Sequence, residues 1–401
     1  MFNAQSAANY SAKSPTRTAA AATAACTLEV YRDLQSLEPI WQRLEAGGHA
    51  TVFQTWSVFK AWAEHIAAPQ HKSWMVIGIF DPLTRQPQML LPIAVSRDDG
   101  MVVVEFADLG VADFNGPVLA ANYRPGAAEM KRTWYAILDA LPAGDLLRLT
   151  KIPPVINGMR NPLLDVPGLQ RMNLAAFGMP ITAAGLERER FGIDPALLND
   201  IDTRTRKLEK RGRVTFEVAR EASLAQPAFD AMCAQRAERH LALKRPNILA
   251  QPSTCEFYRS LFNQNGRPGP ALIASLKIDN SIIATGYGLA HGNTFHMIFP
   301  TFKADRWRNY SPGLQIFLRT IRWAGENGFT YFDFTIGAEQ FKRDFGAIER
   351  PLYEKHMALS PRALPLVMAH KVKHVIRQSP RAAQWAIASL GVLGALEHLR
   401  K

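Results

Sequence analysis

Apolar and polar positions along the chain form two successive series that predict the same order of elements twice. In the first, an extended stretch at Leu28–Arg32 precedes apolar residues at helical spacing over Leu37–Ala46 and Val52–Ile66, with Gly47-Gly48 closing the first helix. Trp74–Phe80, Met89–Ser96 and Met101–Ala107 read as strands, Glu129–Ala140 as a helix and Asp145–Thr150 as a returning strand. In the second series, Asp200–Gly212 reads as a basic helix, Thr215–Ala219 as a strand and Pro227–Leu243 as a helix. Ser253-Thr254-Cys255-Glu256 has the capping-box pattern and opens a helix over Glu256–Gln264. Ala271–Ile278 and Ser281–Ala290 are strands joined through Asp279-Asn280, a hairpin pair, and Thr294–Lys303 is a third. Pro312–Asn327 is a helix with Ser311 as its cap and Gly328 past its end. A strand over Thr330–Ile336, a short helix over Glu339–Phe345 and a strand over Leu352–Leu359 complete the series. Pro153–Gly178 is rich in Pro, Gly and Asn and reads as irregular connection, with the crossing into a second unit near residues 180–195. The repeated order without obvious sequence identity points to an old duplication; its period is far too long for a solenoid.

Composition adds limits. The 401 residues are 47% apolar and 20% charged, which excludes a globally disordered chain. Three widely spaced cysteines without a CxxC give no disulfide framework and fit a reducing compartment. The excess of 47 basic over 35 acidic residues, a net +12, suits an anionic partner. No apolar run reaches the roughly 18–20 residues of a membrane span. The expected organisation is a disordered Ala/Thr/Ser-rich leader (1–26), an N-terminal domain (27–185), a C-terminal domain (186–360) and a basic amphipathic helical tail (361–401) in a cytoplasmic protein. The tail carries seven Lys/Arg against one Glu, and Trp385–Leu399 is apolar enough either to dock on the core or to lie on an anionic inner-membrane face.

Candidate chemistry concentrates in the second series. In Ile298–Leu318 a strand gives way to a loop with Lys303, Arg306 and Arg308, and Ser311-Pro312-Gly313 then opens a helix. Free amides at a helix N-terminus backed by the dipole form an anion site, and this one suits a pyrophosphate. Downstream, period-two alternation puts Tyr331, Asp333 and Thr335 on one strand face, and Glu339 and Lys342 share a helix face. A carboxylate there can take the proton of an attacking amine or hydroxyl, and Lys342 can steady it or pair with a substrate anion. Asp305, just past the long strand, is a further base candidate or a partner to Arg306 or Arg308. In the first series, Asp108, Asp113 and Asn115 form a polar loop after a strand, suited to holding an acceptor or to plain turn chemistry. Arg204–Arg213 is the strongest basic cluster, either a solvated helix face or a surface for an anionic acceptor. His291 and His296 are not at metal spacing, and no HExxH, Walker, GxGxxG or GxSxG motif occurs, so no metal is expected; the Arg204–Arg213 cluster lacks interleaved aromatics and a matching motif, so nucleic acid is not an expected partner.

The order of strands, basic loop and Gly-containing helix resembles the acyl-CoA-binding core of the GNAT acyltransferases, whose usual loop is Q/R-x-x-G-x-G/A. Arg308-Asn309-Tyr310-Ser311-Pro312-Gly313 follows it with Ser311 in place of the first Gly. S-P-G before the helix, D-F-T-I-G ending the strand, E-Q-F-K-R-D-F-G after it, and FQTWSVFKAWAEH and FADLGVADFNGPVL in the first series resemble the CelD-like acetyltransferases associated with cellulose and exopolysaccharide synthesis, over roughly residues 28–360. That resemblance implies an α/β (α+β) tandem GNAT fold related to the Fem-type transferases, each half a mixed, mostly antiparallel sheet flanked by helices. It implies acetyl-CoA or another acyl-CoA as co-substrate, held by Arg308, Asn309, Tyr310, Ser311, Gly313 and Leu314. It also implies catalytic candidates Asp333, Asp305, Glu339, Lys342 and Tyr353, the last as a donor to the departing thiolate. The implied activity is acyl transfer to an amine or hydroxyl on a sugar- or amine-containing acceptor of envelope or extracellular polysaccharide synthesis. A Fem-like aminoacyl or peptidyl transferase, and a non-catalytic accessory protein of a polysaccharide synthase, are the alternatives. One cofactor site is expected, because the first series lacks an S-P-G counterpart.

Overall fold

The computed structural model describes residues 26–181, 192–264 and 266–378. The leader over 1–25, part of the crossing near 180–195 and the apolar stretch Trp385–Leu399 lie outside the described residues.

The alternating segments of the first series become an antiparallel meander: β1 (Thr27–Tyr31), β2 (Ser73–Phe80), β3 (Pro87–Asp98) and β4 (Met101–Phe106). Helices α1 (Leu34–Gly47) and α2 (Trp56–Trp62) lie between β1 and β2. The single helix expected over Val52–Ile66 is instead broken at Thr55, whose extended backbone separates a 3₁₀ turn at Val52–Gln54 from α2. After α3 (Ala127–Ala140), β5 (Leu146–Ile152) returns parallel to β4. The stretch expected to be irregular contains an eleven-residue strand, β6 (Gln170–Pro180).

The second series repeats the plan. Helix α4 (Pro195–Glu209), strand β7 (Val214–Ala219) and helices α5 (Ala222–Ala242) and α6 (Pro252–Ser260) precede a meander of β8 (Ala271–Ile278), β9 (Ser281–His291) and β10 (Thr294–Phe302). Then come α7 (Pro312–Glu326), β11 (Tyr331–Ile336), the short α8 (Gln340–Asp344), β12 (Ile348–Ala358) and α9 (Leu364–Gln378). The expected capping box does not form. Pro252 takes the first turn with Gln251 as cap, which puts Ser253 inside α6 and ends the helix at Ser260, four residues early. Helix α5 starts before Pro227 and runs through it. Among the described residues, no helix is long and apolar enough to cross a membrane.

All twelve strands join one sheet, in the order β1-β2-β3-β4-β5-β12-β6-β11-β10-β9-β8-β7, with Val118–Leu119 pairing β3 off that path. Among the described residues, only β4–β5 and β10–β11 pair in parallel, one pair in each half. The last strands are exchanged. Strand β12, late in the second series, pairs β5 of the first, and β6, from the first, pairs β11 of the second. The two exchanged strands also pair with each other. Small residues on β6 permit this crowding: Ala176 and Gly178 sit in register with Ile336 and Asp333, and a Cβ on Gly178 would lie 2.4 Å from the Tyr331 hydroxyl.

Packing ties the halves again. Trp41, Phe59 and Trp62 share one core with Phe229, Tyr258 and Phe262, and the Tyr258 hydroxyl donates to the Val111 carbonyl at 2.9 Å. Cys233 and Cys255, distant in sequence, meet with sulfurs 3.8 Å apart, beyond disulfide bonding distance. Because β5 and β6 complete their pairing only through strands of the other half, residues 27–185 expressed alone should not fold cooperatively. Circular dichroism and thermal melts check this against the full chain.

Candidate active site

The two parallel pairs set the geometry. Strands β10 and β11 pair over three rows, Thr294–Tyr331, Phe295–Phe332 and His296–Asp333, and β4 and β5 likewise over Val103–Leu146, Val104–Leu147 and Glu105–Arg148. Beyond those rows the strands of each pair diverge. In the first half the wedge is closed by the chain's own loop after β4. There the Asn115 amide donates to the Lys151 carbonyl at 2.9 Å and the Asn115 side chain to the Thr150 carbonyl at 3.3 Å. In the second half β10 continues past the divergence with half-buried Ile298, Pro300 and Phe302.

The floor of the second wedge is a polar cluster. Asp333 is 1% exposed, and burial pushes its carboxyl up. Arg350 at 2.5 Å and His296 Nδ1 at 3.4 Å outweigh burial and hold it below its ordinary value. Its other oxygen accepts from the Thr335 amide at 2.7 Å. The expected alternation fails here: the pairing with β6 slips between Asp333 and Thr335, Thr335 has φ +58°, and Ile336 packs on a different core from Phe332 and Phe334. Asp113 reaches this cluster from the first half. Burial pushes its carboxyl up, only partly offset by Lys151 and a hydrogen bond from Thr335, while Asp108 and Asp333 push the same way as burial. Lys151 bonds Asp108 at 2.8 Å and the Ala112 carbonyl at 2.6 Å. Three buried polar atoms of the cluster, Asn115 Oδ1, His296 Nδ1 and Arg350 Nε, have no hydrogen-bond partner among the described residues.

The loop expected to hold pyrophosphate forms one 3₁₀ turn, Arg308–Tyr310, followed by Ser311 in the left-handed region at φ +49°. Ser311 therefore does not cap α7 through its side chain; its carbonyl accepts from the Leu314 and Gln315 amides instead. A Cβ on Gly313 would lie 2.9 Å from the Phe302 ring, so packing against β10 demands glycine there. The basic α4 cluster docks on this loop, with Arg204 donating to the Asn309 carbonyl at 2.7 Å and Arg211 to the Tyr310 hydroxyl at 3.1 Å. Arg211, Arg306, Trp307 and Tyr310 line an open groove of about 840 Å³ whose other wall is the β8–β9 turn at Asp279–Ser281.

The remaining candidates sit apart from the Asp333 cluster's hydrogen bonds. Asp305 is exposed and accepts from the Trp307 amide at 3.0 Å, closing its own turn. Glu339 is 57% exposed and pairs with Lys342 at 3.1 Å. Lys342 is buried, and its ammonium donates to the Ile336 and Gly337 carbonyls at 2.9 and 3.1 Å, which fastens the turn after β11. Tyr353 lies on β12 against the first half's core. His296, Arg350, Lys151 and the docking of Arg204 and Arg211 were not singled out in the sequence.

Residues 196–343 match the family model of the acetyltransferase (GNAT) domain. FemX is similar in structure at 11% identity, covering 81% of this chain and 96% of its own, with a TM-score of 0.51. The C-terminal domain of a putative lysylphosphatidylglycerol synthetase from Agrobacterium fabrum is similar at 13% identity, covering 84% and 94%, with a TM-score of 0.50. A conserved protein of unknown function from Bacteroides thetaiotaomicron gives 10%, 82%, 98% and 0.51. No curated protein matches the sequence. These likenesses are of fold, and with the repeated halves they establish the expected tandem GNAT-like α/β architecture.

Truncating Arg350 leaves the Asp333 charge buried without its cation. Arg350→Ala should lower stability by about 3 kcal/mol at pH 7. The carboxyl is depressed in the fold, so its contribution is present above its unfolded value and lost as pH falls through the folded one. The gap between variant and parent should therefore shrink below about pH 4 in urea melts.

Proposed function

We propose that the chain is an acyl-CoA-dependent acyltransferase acting on an amine or hydroxyl acceptor. The observation that carries this is the groove where Arg211 and Arg306 stand beside Trp307 and Tyr310, on the loop that leads from β10 into α7. Two guanidinium groups suit phosphates, and two aromatic rings suit a base. Diverging β10 and β11 leave backbone donors and acceptors able to pair with an extended amide-bearing arm. The GNAT match over residues 196–343 supports the same reading.

Acyl-CoA supplies an activated thioester. The chain then has to orient the acceptor and remove its proton. Asp113 suits the second task, because a carboxyl raised toward neutrality accepts a proton better than one held low. Asp333 is committed to Arg350 and the Thr335 amide and acts as an orienting anion. Asn115 Oδ1 and Arg350 Nε, which have no hydrogen-bond partner among the described residues, are the candidates for polar contacts to the acceptor. A saccharide precursor of envelope or extracellular polysaccharide is the proposed acceptor. It rests on the resemblance of the S-P-G, DFTIG and EQFKRDFG segments to the CelD-like enzymes.

Calorimetric titration with acetyl-CoA and longer acyl-CoAs tests the donor. Arg211→Glu and Arg306→Glu, both on exposed side chains, should each weaken binding at least tenfold without changing the melt. Absence of saturable binding to the folded chain would overturn the donor assignment and favour aminoacyl transfer or a scaffold role. Asp113→Asn should lower kcat by about 100-fold or more with acyl-CoA binding unchanged. Because burial raises the Asp113 carboxyl, its stabilising contribution is present below the unfolded value and lost as pH rises through the folded one. Asp113→Asn should therefore melt higher than the parent at pH 8 and lose that advantage at pH 4.

A further inference from the structure

A second polar cluster lies where α9 docks on the exchanged strand. Glu354 and His356, two residues apart on β12, meet His370 on α9. Glu354 is buried, and its two oxygens face the two rings: Oε1 is 3.0 Å from His370 Nε2 and Oε2 is 3.5 Å from His356 Nε2. The rings stack face to face with centroids 3.8 Å apart and 6° between planes. One donor atom from each residue lies within 4.8 Å of the others. His356 Nε2 is buried and has no hydrogen bond.

Ordinary packing accounts for this arrangement poorly. Two imidazolium ions at that separation would repel with a single carboxylate between them, and a neutral His356 stands 3.5 Å from Glu354 without forming a hydrogen bond to it. A divalent ion would meet both needs, since it bonds the orphan nitrogen and neutralises Glu354. Two imidazole nitrogens and one carboxylate oxygen are a donor set for Zn²⁺ and neighbouring borderline ions, not for Mg²⁺ or Ca²⁺. A tetrahedral ion holding each donor at about 2.1 Å separates its ligands by about 3.4 Å, so the three atoms need to close by about an ångström. Rings stacked within 6° hold their in-plane lone pairs parallel, so binding requires one imidazole to turn out of the stack toward the ion.

We propose that Glu354, His356 and His370 form a three-ligand site for a divalent ion of the zinc class, which fastens α9 to the exchanged strand β12. The fourth position is left to water. His356 and His370 stand on different elements, β12 and α9, so no short sequence motif contains both.

The test uses the untagged full-length chain after chelator treatment and dialysis. Titration with Zn²⁺ by calorimetry should show one equivalent bound, and Co²⁺ should give visible absorption bands of a tetrahedral site. His356→Ala and His370→Ala should each weaken Zn²⁺ at least tenfold, whereas His240→Ala should not. A readout that needs no variant is amide hydrogen exchange, in which Zn²⁺ should slow α9 amides at least tenfold. No saturable binding of Zn²⁺ or Co²⁺ by the folded chain would overturn the site. So would binding of equal affinity in folded His356→Ala and His370→Ala, or slowed exchange confined to elements other than α9.

Discussion

A carboxylate buried as deeply as Asp333 can stay charged only with a cation against it, and that cation arrives from two strands away. Arg350 sits on β12, Asp333 on β11, and β6 runs between them. The guanidinium crosses β6 where it carries only Ala176 and Gly178, and it passes over the Tyr331 ring on the way. The position of the exchanged strand and the charge state of the cleft floor are therefore one constraint. Thr335, His296 and Asp113 take their places around a charge that exists only because the exchange brings Arg350 to it.

The two halves use one plan to different ends. Each has a parallel pair, joined through a crossing helix, whose pairing stops after three rows. The first half spends its wedge on its own loop, and that loop then projects Asp113 and Asn115 toward the second. In the second half the loop after β10 instead lines an arginine-bearing groove. The same geometry occurs twice, and the loop after β4 makes one copy a wall for the other.

Much of this was legible in the sequence, for identifiable reasons. The meander strands alternate or run apolar between clear turns, so Trp74–Phe80, Ala271–Ile278 and Ser281–Ala290 were readable to within a residue or two at their ends. Strand β6 was not. Small and polar residues such as Asn173, Ala175 and Gly178 carry little strand propensity, and neighbours on both sides force the extended form. The role of His296 was hidden because spacing along one strand says nothing about register with another, and only the β10–β11 pairing sets it opposite Asp333. The α4 cluster looked like a solvated face because its partners, Asn309 and Tyr310, lie about a hundred residues downstream. Ser311 read as a cap from its identity, but a left-handed residue turns its side chain away from the amides it would have capped.

The exchanged strands also set a timetable for synthesis. Strand β5 ends at Ile152, and its partner β12 begins at Ile348, roughly 200 residues later. At about 5–20 residues per second, a ribosome needs on the order of 10–40 s to deliver it. Throughout that interval β5 offers an unpaired edge in a sheet that cannot yet close, the kind of surface that recruits other nascent chains. A cell making this protein must shield that edge during translation, so slow or crowded synthesis is a greater hazard to it than to a chain whose halves finish one at a time.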